Sequence, residues 1–463
     1  MGIFRLPSGT EMTLSTLDKF LGLHKQEVTK RYEPLLKAYM SDHEIVHQKE
    51  KPKYKPDNRI VVNFPKYITD TFDGFAIGNP IKVVADDDNV ADFVEYLNRY
   101  NDQDDNDAEL FKFGSIFGSG FEMYYADEEA ELCTTYLSPI EAFMIYDDSI
   151  VERPMYFVRC YKDWENKEYG SISNAYGVRH FQITGGLKWT DEDWKPHHFP
   201  DVPATEFIAN EERQGIFEPV MSQVNAFNKA ISEKANDVDY FADAYLKVLG
   251  AKVEPEDVNF IRDNRVVNFE GEGADKIIAE FMGKPESDTA QENLLNRLER
   301  LIFQISMVAN ISDENFGASS GIALRYKLLA MHNLANTRHR KFESGMNRRY
   351  KILFGHPVSK APADAWVKLR YHNTANIPAN LLEEVQAATQ LEGIVSRETQ
   401  LKVLSIVDNV QDELDKMEAE NAPSENDSVT NVMFGDTVAS AMPQVGAEEV
   451  NDEQQAILGA AGS

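Results

Sequence analysis

The strongest constraint on this chain is a pair of long helical segments with too little sequence between them for either to bury its apolar face alone. In the first, Val220, Val224, Phe227, Ile231, Val238, Phe241, Tyr245 and Leu249 advance by three or four residues, with one step of seven across Lys234. Gly250 supplies a stop. About 30 residues at 1.5 Å each predict a rod of roughly 45 Å over 219–250. In the second, Asp288 and Gln291 have the form of a capping box ahead of Leu294, Leu298, Leu301, Ile305 and Val308. A compact insert, 251–287, lies between them and carries the strand-like run Val266–Phe269. Two rods joined in this way are expected to pack laterally in an assembly. A third helix is expected from Gly321 to Phe354.

Upstream the pattern differs. Residues 1 to about 56 read as short helices, with Val28, Tyr32, Leu35 and Tyr39 at helical spacing and Pro34 forcing a kink or a fresh start. Gly78-Asn79-Pro80 is a turn signal leading into a strand at Ile81–Val84. Residues 86–109 hold ten acids against Arg99 alone and read as a solvated acidic stretch. From Phe111 to about Trp194, short β-rich runs separated by turn residues predict an antiparallel meander. Toward the C-terminus, helix starts are expected at Asn380, Ser396 and Asp408. Beyond about Asn421 the chain is rich in Ser, Gly, Ala, Glu and Asp, too poor in large apolar residues to order itself. The fold class is α+β, with a mixed N-terminal region followed by long helices.

Charge narrows the function. A formal net charge of −30 excludes tight, non-specific phosphate binding over the whole surface, because counterion release rewards a basic protein. Enclosing DNA is still permitted, since an acidic wall keeps phosphate from sticking. The N-terminus MGIFRLPSGTEM lacks the apolar stretch of a signal peptide, and no run is long enough to span a bilayer. Cys133 and Cys160 are too few for a disulfide framework, and read as thiols of a protein made in a reducing cytoplasm.

The sharpest enzymatic pattern is His43-Glu44-Ile45-Val46-His47, which fits H-E-x-x-H and makes a zinc metallopeptidase the alternative of a different class. Its context argues against that role. Glu50 and Lys53 stand where an extended motif needs Gly and His. A third glutamate ligand is missing, with only Asp70 and Asp73 nearby, and Pro52 and Pro56 keep the helix short. Asp102, Asp104 and Asn106 have EF-hand spacing, but Asp107 replaces the glycine and Phe113 the final glutamate. Gly114, Gly118 and Gly120 lack the Lys-Ser/Thr of a phosphate loop and read as turn glycines. The basic run Arg325, Lys327, Arg338, Arg340, Lys341, Arg348, Arg349 and Lys351 reads as a helix pairing with acidic neighbours rather than with phosphate. The expectation is no catalytic residue, no metal and no cofactor.

Four segments carry a resemblance: NRIVVNFPKYITDTFDGFAIGNPI at 58–81; GSGFEMYYADEEAEL with IYDDSIVERP; NISDENFGASSGIALRYKL at 310–328; and GIVSRETQLKVLSIVDNVQDELDKMEAE at 393–420. Taken in this order, the chain resembles the tailed-phage portal proteins of the SPP1-like family. The resemblance implies a portal-like α+β subunit: an α/β wing over 1–218, a two-helix stem at 219–250 and 288–309, and a small clip at 251–287. It further implies a tunnel loop at 310–320, a kinked long helix and return to the wing over 321–375, a helical crown over 376–420, and an acidic tail over 421–463. The DNA-facing residues it implies are Ile311, Ser312, Asp313, Glu314, Asn315, Phe316, Gly317, Ala318, Ser319 and Ser320. The implied partners are a homo-oligomeric ring, usually of twelve subunits, double-stranded viral DNA in its channel, the terminase large subunit, head–tail connector proteins, and scaffold and capsid proteins, with no membrane. The implied location is the portal vertex of the virion, reached from the host cytoplasm during assembly.

Overall fold

The N-terminal helical signals form one continuous rod that accommodates Pro34 through a local change of pitch. A computed structural model describes residues 3–52, 55–242, 246–249, 278–281, 288–312, 321–376, 381–404, 406–407 and 410–421. After strand β1 (Phe4–Leu6), helix α1 (Leu14–Glu27) starts at Thr13, whose hydroxyl accepts the Thr16 N–H at 3.2 Å. The helix widens through one π turn, Val28–Tyr32, and continues as α2 (Glu33–Tyr39). Proline has no N–H and crowds the carbonyl four residues back, and the wider turn makes room for it.

Helix α3 (Phe64–Ala76) is capped by Asn63, whose side-chain oxygen accepts the Lys66 N–H at 3.0 Å. The expected turn then leads into β2 (Lys82–Val84). Helices α4 (Asp88–Tyr100) and α5 (Gln103–Phe117) follow, and α5 ends at Gly118. There φ is +89°, and a Cβ would run into the Arg213 backbone, so the position requires glycine. The acids of 86–109 are mostly exposed, as expected, but the stretch is not a loop. It is mostly two helices, with Asp107 buried.

The β region contains β3 (Ser119–Ala126), β4 (Leu132–Leu137), β5 (Ala142–Asp147), β6 (Pro154–Lys162), β7 (Glu168–Ser173), β8 (Gly177–Gln182), β9 (Lys188–Trp189), β10 (Lys195–Pro196) and β11 (Ala204–Ile208). The antiparallel meander expected from the turn spacing holds for β5 to β8. It does not extend over the whole region: β3 and β4 form a second sheet closed by β11, and β1 adds to β5 in parallel. Local periodicity carries no information about which distant strand closes a sheet. Leu17 and Phe20 of α1 pack on Phe143, Ile145, Val158 and Ile172 of the larger sheet. The principal core gathers α3, α4, α5 and the helices after residue 220.

Helix α6 (Met221–Ala242) ends earlier than the expected rod over 219–250. Leu246–Leu249 is strand β12, antiparallel to β13 (Ile278–Phe281), with Leu246 opposite Phe281 and Leu249 opposite Ile278. A run as short as Leu-Lys-Val-Leu fits either period, and pairing with a distant partner decides it. The run Val266–Phe269 lies outside the described residues. Helix α7 (Asp288–Ser306) begins where expected; Gln291 donates to Asp237 on α6 at 3.0 Å, and the Asp288 side chain of the expected capping box lies outside the described residues. Helix α8 spans Gly321–Phe354 as expected, about 51 Å at the standard rise, and β14 (Arg370–His372) returns to pair with β2.

Residues 378–463 form a separate unit. It contains α9 (Leu381–Gln390), α10 (Arg397–Leu401) and α11 (Val410–Asn421). Ser396 caps α10 as expected, accepting the Thr399 N–H at 3.3 Å. Asn380, Asp408 and everything beyond Asn421 lie outside the described residues.

Candidate functional site

Of the ten residues implied as DNA-facing, Ile311 and Ser312 are described, and 313–320 lie outside the described residues. What the structure defines is the mounting of that segment. Helix α7 stops at Ser306, Met307 takes the left-handed conformation at φ +60°, and Val308 turns into the core. Asn310 then donates to Glu299 on α7 at 3.2 Å and accepts the Ser312 N–H at 3.2 Å. The Ile311 N–H donates to the Tyr67 hydroxyl on α3 at 3.0 Å. Phe303 of α7 meets Tyr67 and Phe64 edge-on, with ring centroids 5.7 and 5.8 Å away.

The far flank, α8, is fixed by two buried arginines from the basic run. Arg349 donates to Glu122 at 2.7 Å and to Asp107 at 3.2 Å, with all three side chains inside the core. Gln103 donates to both carboxylates, at 2.9 and 3.0 Å, and the Tyr124 hydroxyl donates to Glu122 at 2.9 Å. Each charge thus has a counter-charge and hydrogen bonds, the condition under which a buried pair is tolerated. Burial pushes the Glu122 carboxyl up against the pull of Arg349, and raises the Tyr124 hydroxyl well above its ordinary range.

Arg338, one turn-set earlier, donates to the Ser115 hydroxyl at 2.7 Å and to the Phe111 carbonyl, and lies 4.0 Å from the Phe111 ring centroid. Burial lowers its pKa to about 10. Arg348 pairs with Asp201 at 2.8 Å, and Lys341 pairs with Glu211. The expectation that this run pairs with acids is met inside the chain at these positions.

Ser115 also donates to Asp73 of α3, whose other carboxylate oxygen meets no donor among the described residues. Burial raises the Asp73 pKa to about 7, against the opposing effects of Arg338 and Ser115. A folded-state pKa above the unfolded one means stability that is complete below the unfolded value of 3.8 and is lost as pH rises through about 7. Relative to Asp73→Asn, the native chain should lose about 2 kcal/mol between about pH 5 and about pH 7.5. Urea midpoints at both pH values test this, and parallel pH dependences would refute it.

The other sequence candidates do not assemble. Glu44–His47 is a single 3-10 turn with His43 before it in extended conformation, so the two histidines do not share an α-helical face. His43 faces Asn228 at 3.1 Å, and His47 pairs with Asp42. Asp102 precedes α5 and Asp107 serves Arg349, which leaves no calcium loop. Among the described residues, no group of three His, Cys, Asp or Glu side chains is placed to hold a metal ion. Cys133 and Cys160 are free thiols.

Sequence reasoning missed Tyr67, Asp107, Glu122 and Asp73. Asp73 and Tyr67 sit six apart on an amphipathic helix, and nothing local marks either one. Glu122 stands at an inward position of an apolar strand, the one signal that could have singled it out.

The described geometry thus holds two long helices rigidly on either side of a short acidic connection and shows no catalytic constellation. The family described as phage portal protein, SPP1 Gp6-like, matches residues 18–427. The portal protein of Clostridium phage phiCD119 is 22% identical over 401 residues, covering 80% of this chain and 86% of that relative.

Proposed function

The chain belongs to the SPP1 Gp6-like family of phage portal proteins, and we propose that it builds the ring at the single capsid vertex through which double-stranded viral DNA is packaged and later ejected. One observation carries this reading: α7 leaves large apolar side chains uncovered within the chain. Leu295 and Ile302 point into the core, whereas Leu294 and Ile305 are 51% and 43% exposed. Of the apolar positions predicted from sequence, Leu298 packs against the core and Val308 is buried, which leaves Leu294 and Ile305 facing outward. Val238 on the adjoining α6 is 56% exposed as well. Leaving these side chains half in water forgoes on the order of 1 kcal/mol each, which a neighbouring copy would recover.

In this reading α6 and α7 are the stem, 251–287 the clip that meets the terminase large subunit and later the connectors, and 310–320 the DNA-facing loop. The β sheets with their helices are the wing, which meets capsid and scaffold proteins, and 376–420 is the crown. About twelve copies close the ring, and no copy is an enzyme. The charge of −30 suits a wall that DNA slides past. No described helix is long and apolar enough to cross a membrane.

Leu294→Glu combined with Ile305→Glu should leave the subunit folded by circular dichroism and abolish rings in native mass spectrometry and negative-stain images. Rings at wild-type yield from the double variant would sink the stem assignment.

A further inference from the structure

Residues 58–62 run along α6 outside any helix or strand, and a ladder of side chains holds them there. The N–H groups of Asn58, Ile60 and Val62 donate to Asn236 Oδ1, Ser232 Oγ and Asn228 Oδ1 at 2.7, 2.9 and 2.9 Å. Alternate residues of an extended chain advance about 6.6 Å and every fourth helical residue about 6 Å, so three rungs match before the two drift apart. Asn228, Ser232 and Asn236 are all buried. The Val62 rung carries a further constraint. A backbone N–H can only donate, so Asn228 turns its oxygen to Val62 and its amino group to His43 Nδ1, 3.1 Å away. His43 is 2% exposed, and its Nδ1 must accept, which only the neutral ring can do.

We propose that residues 58–62 form a pH-sensitive latch on α6, closed while His43 is neutral and loosened when its ring takes up a proton. A proton on Nδ1 sets an N–H against the Asn228 amino group. The amide can turn over to relieve this, but it then presents that amino group to the Val62 N–H. Either way a buried donor loses its acceptor. Burial holds the His43 ring below its ordinary range, against the opposing effects of the Asn63 side chain, the Ala38 carbonyl, Asp42 and Glu44. Of these groups, brought by α2, the start of α3 and the turn of His43 itself, Asp42 and Glu44 carry charge, and α6 adds the uncharged Asn228. The latch is therefore complete above the ordinary histidine value of 6.5 and weakens as pH falls below it. The other rungs lack a group that titrates there. Ser232 is uncharged, and Asn236 donates at 3.3 Å to Glu233, whose carboxyl Lys51 holds below its ordinary range. Residues 58–62 lead directly into α3, so the latch ties α6 to α3. The inference goes beyond the portal reading and does not depend on it.

The test is amide exchange of the full chain at about pH 7.5 and about pH 5.5, resolved to single residues by mass spectrometry and corrected for its intrinsic pH dependence. Protection at Val62 should fall roughly 3- to 10-fold at the lower pH, the loss of one hydrogen bond of ordinary strength, and protection at Asn58 and Ile60 should fall less. His43→Asn places an oxygen that does not titrate near the Nδ1 position, and should flatten the Val62 profile. Asn228→Asp should invert it, because a carboxylate accepts from Val62 and from the protonated ring at once. Equal Val62 protection at the two pH values in the native chain would overturn the latch. A native-like fall in His43→Asn would show that another group titrates, and would remove His43 from the device. The native profile decides the first point even where a variant fails to fold, and Asn228→Asp decides the second where His43→Asn does.

Discussion

Arg349→Met should cost the fold about 3–5 kcal/mol, the range for breaking a buried pair by removing one partner. Arg349 is the single cation between Asp107 and Glu122, and it joins α8 to α5, β3 and, through Tyr124 and Thr205, to β11. Methionine fills most of the volume and still packs near Phe207, whose ring centroid lies 5.1 Å from the guanidinium carbon. The loss is therefore electrostatic, not a cavity. Two carboxylates would remain buried and facing each other, each penalised by desolvation and by the other. The sign of the pH dependence follows. Burial already holds the Glu122 pKa above its ordinary value, so its contribution is greatest at acid pH and declines as pH rises. Removing Arg349 strengthens that trend, and the deficit relative to the native chain should widen from acid to neutral pH. Adding Asp107→Asn and Glu122→Gln to Arg349→Met should recover most of the loss. A urea midpoint close to wild type in the single variant, or no recovery in the triple, would show that the cluster does not hold α8 in place.

Particular residues show how far the sequence was legible. Helix α8 was readable end to end, because a long periodic segment bounded by Gly321 and Gly355 has one interpretation. Ser396 was readable as a cap because the signal is local. Leu246–Leu249 was not, since its strand partner lies 29 or more residues away in the chain, as the Leu249 and Ile278 pair shows. The acidic stretch concealed Asp107, because composition cannot say which of ten acids turns inward to meet an arginine 242 positions later. On α7 the apolar positions Leu294, Leu298, Leu301, Ile305 and Val308 were legible, but which of them the chain itself covers was not. Periodicity marks apolar positions, and only the packed chain shows that Leu298 and Val308 are covered while Leu294 and Ile305 are not. The segment proposed to face DNA was reached by resemblance and by its setting between two helices. Its support on Tyr67 was illegible, since a tyrosine 244 residues upstream carries no mark of that role.

Deletion of Asp313–Ala318 should leave rings intact and sharply reduce packaged DNA. The connection joins α7 to α8 and lies outside the α7 residues on which assembly is proposed to depend, so its removal need not disturb them. Asp313 and Glu314 bring negative charge to a segment presented to a polyanion, which opposes phosphate lodging there while DNA moves. Gly317 and the small residues beside it permit backbone conformations that larger side chains would exclude. Phe316 can instead pack on the same segment of a neighbouring copy, and the two roles separate on one deletion. Electron microscopy measures rings, and nuclease-protected DNA per particle measures passage. Intact rings with little protected DNA support the DNA-facing role. Lost rings mean that the segment is an inter-subunit contact. Normal packaging would remove residues 313–318 from any role in DNA movement, and would leave the acidic channel wall as the part of the subunit that DNA meets.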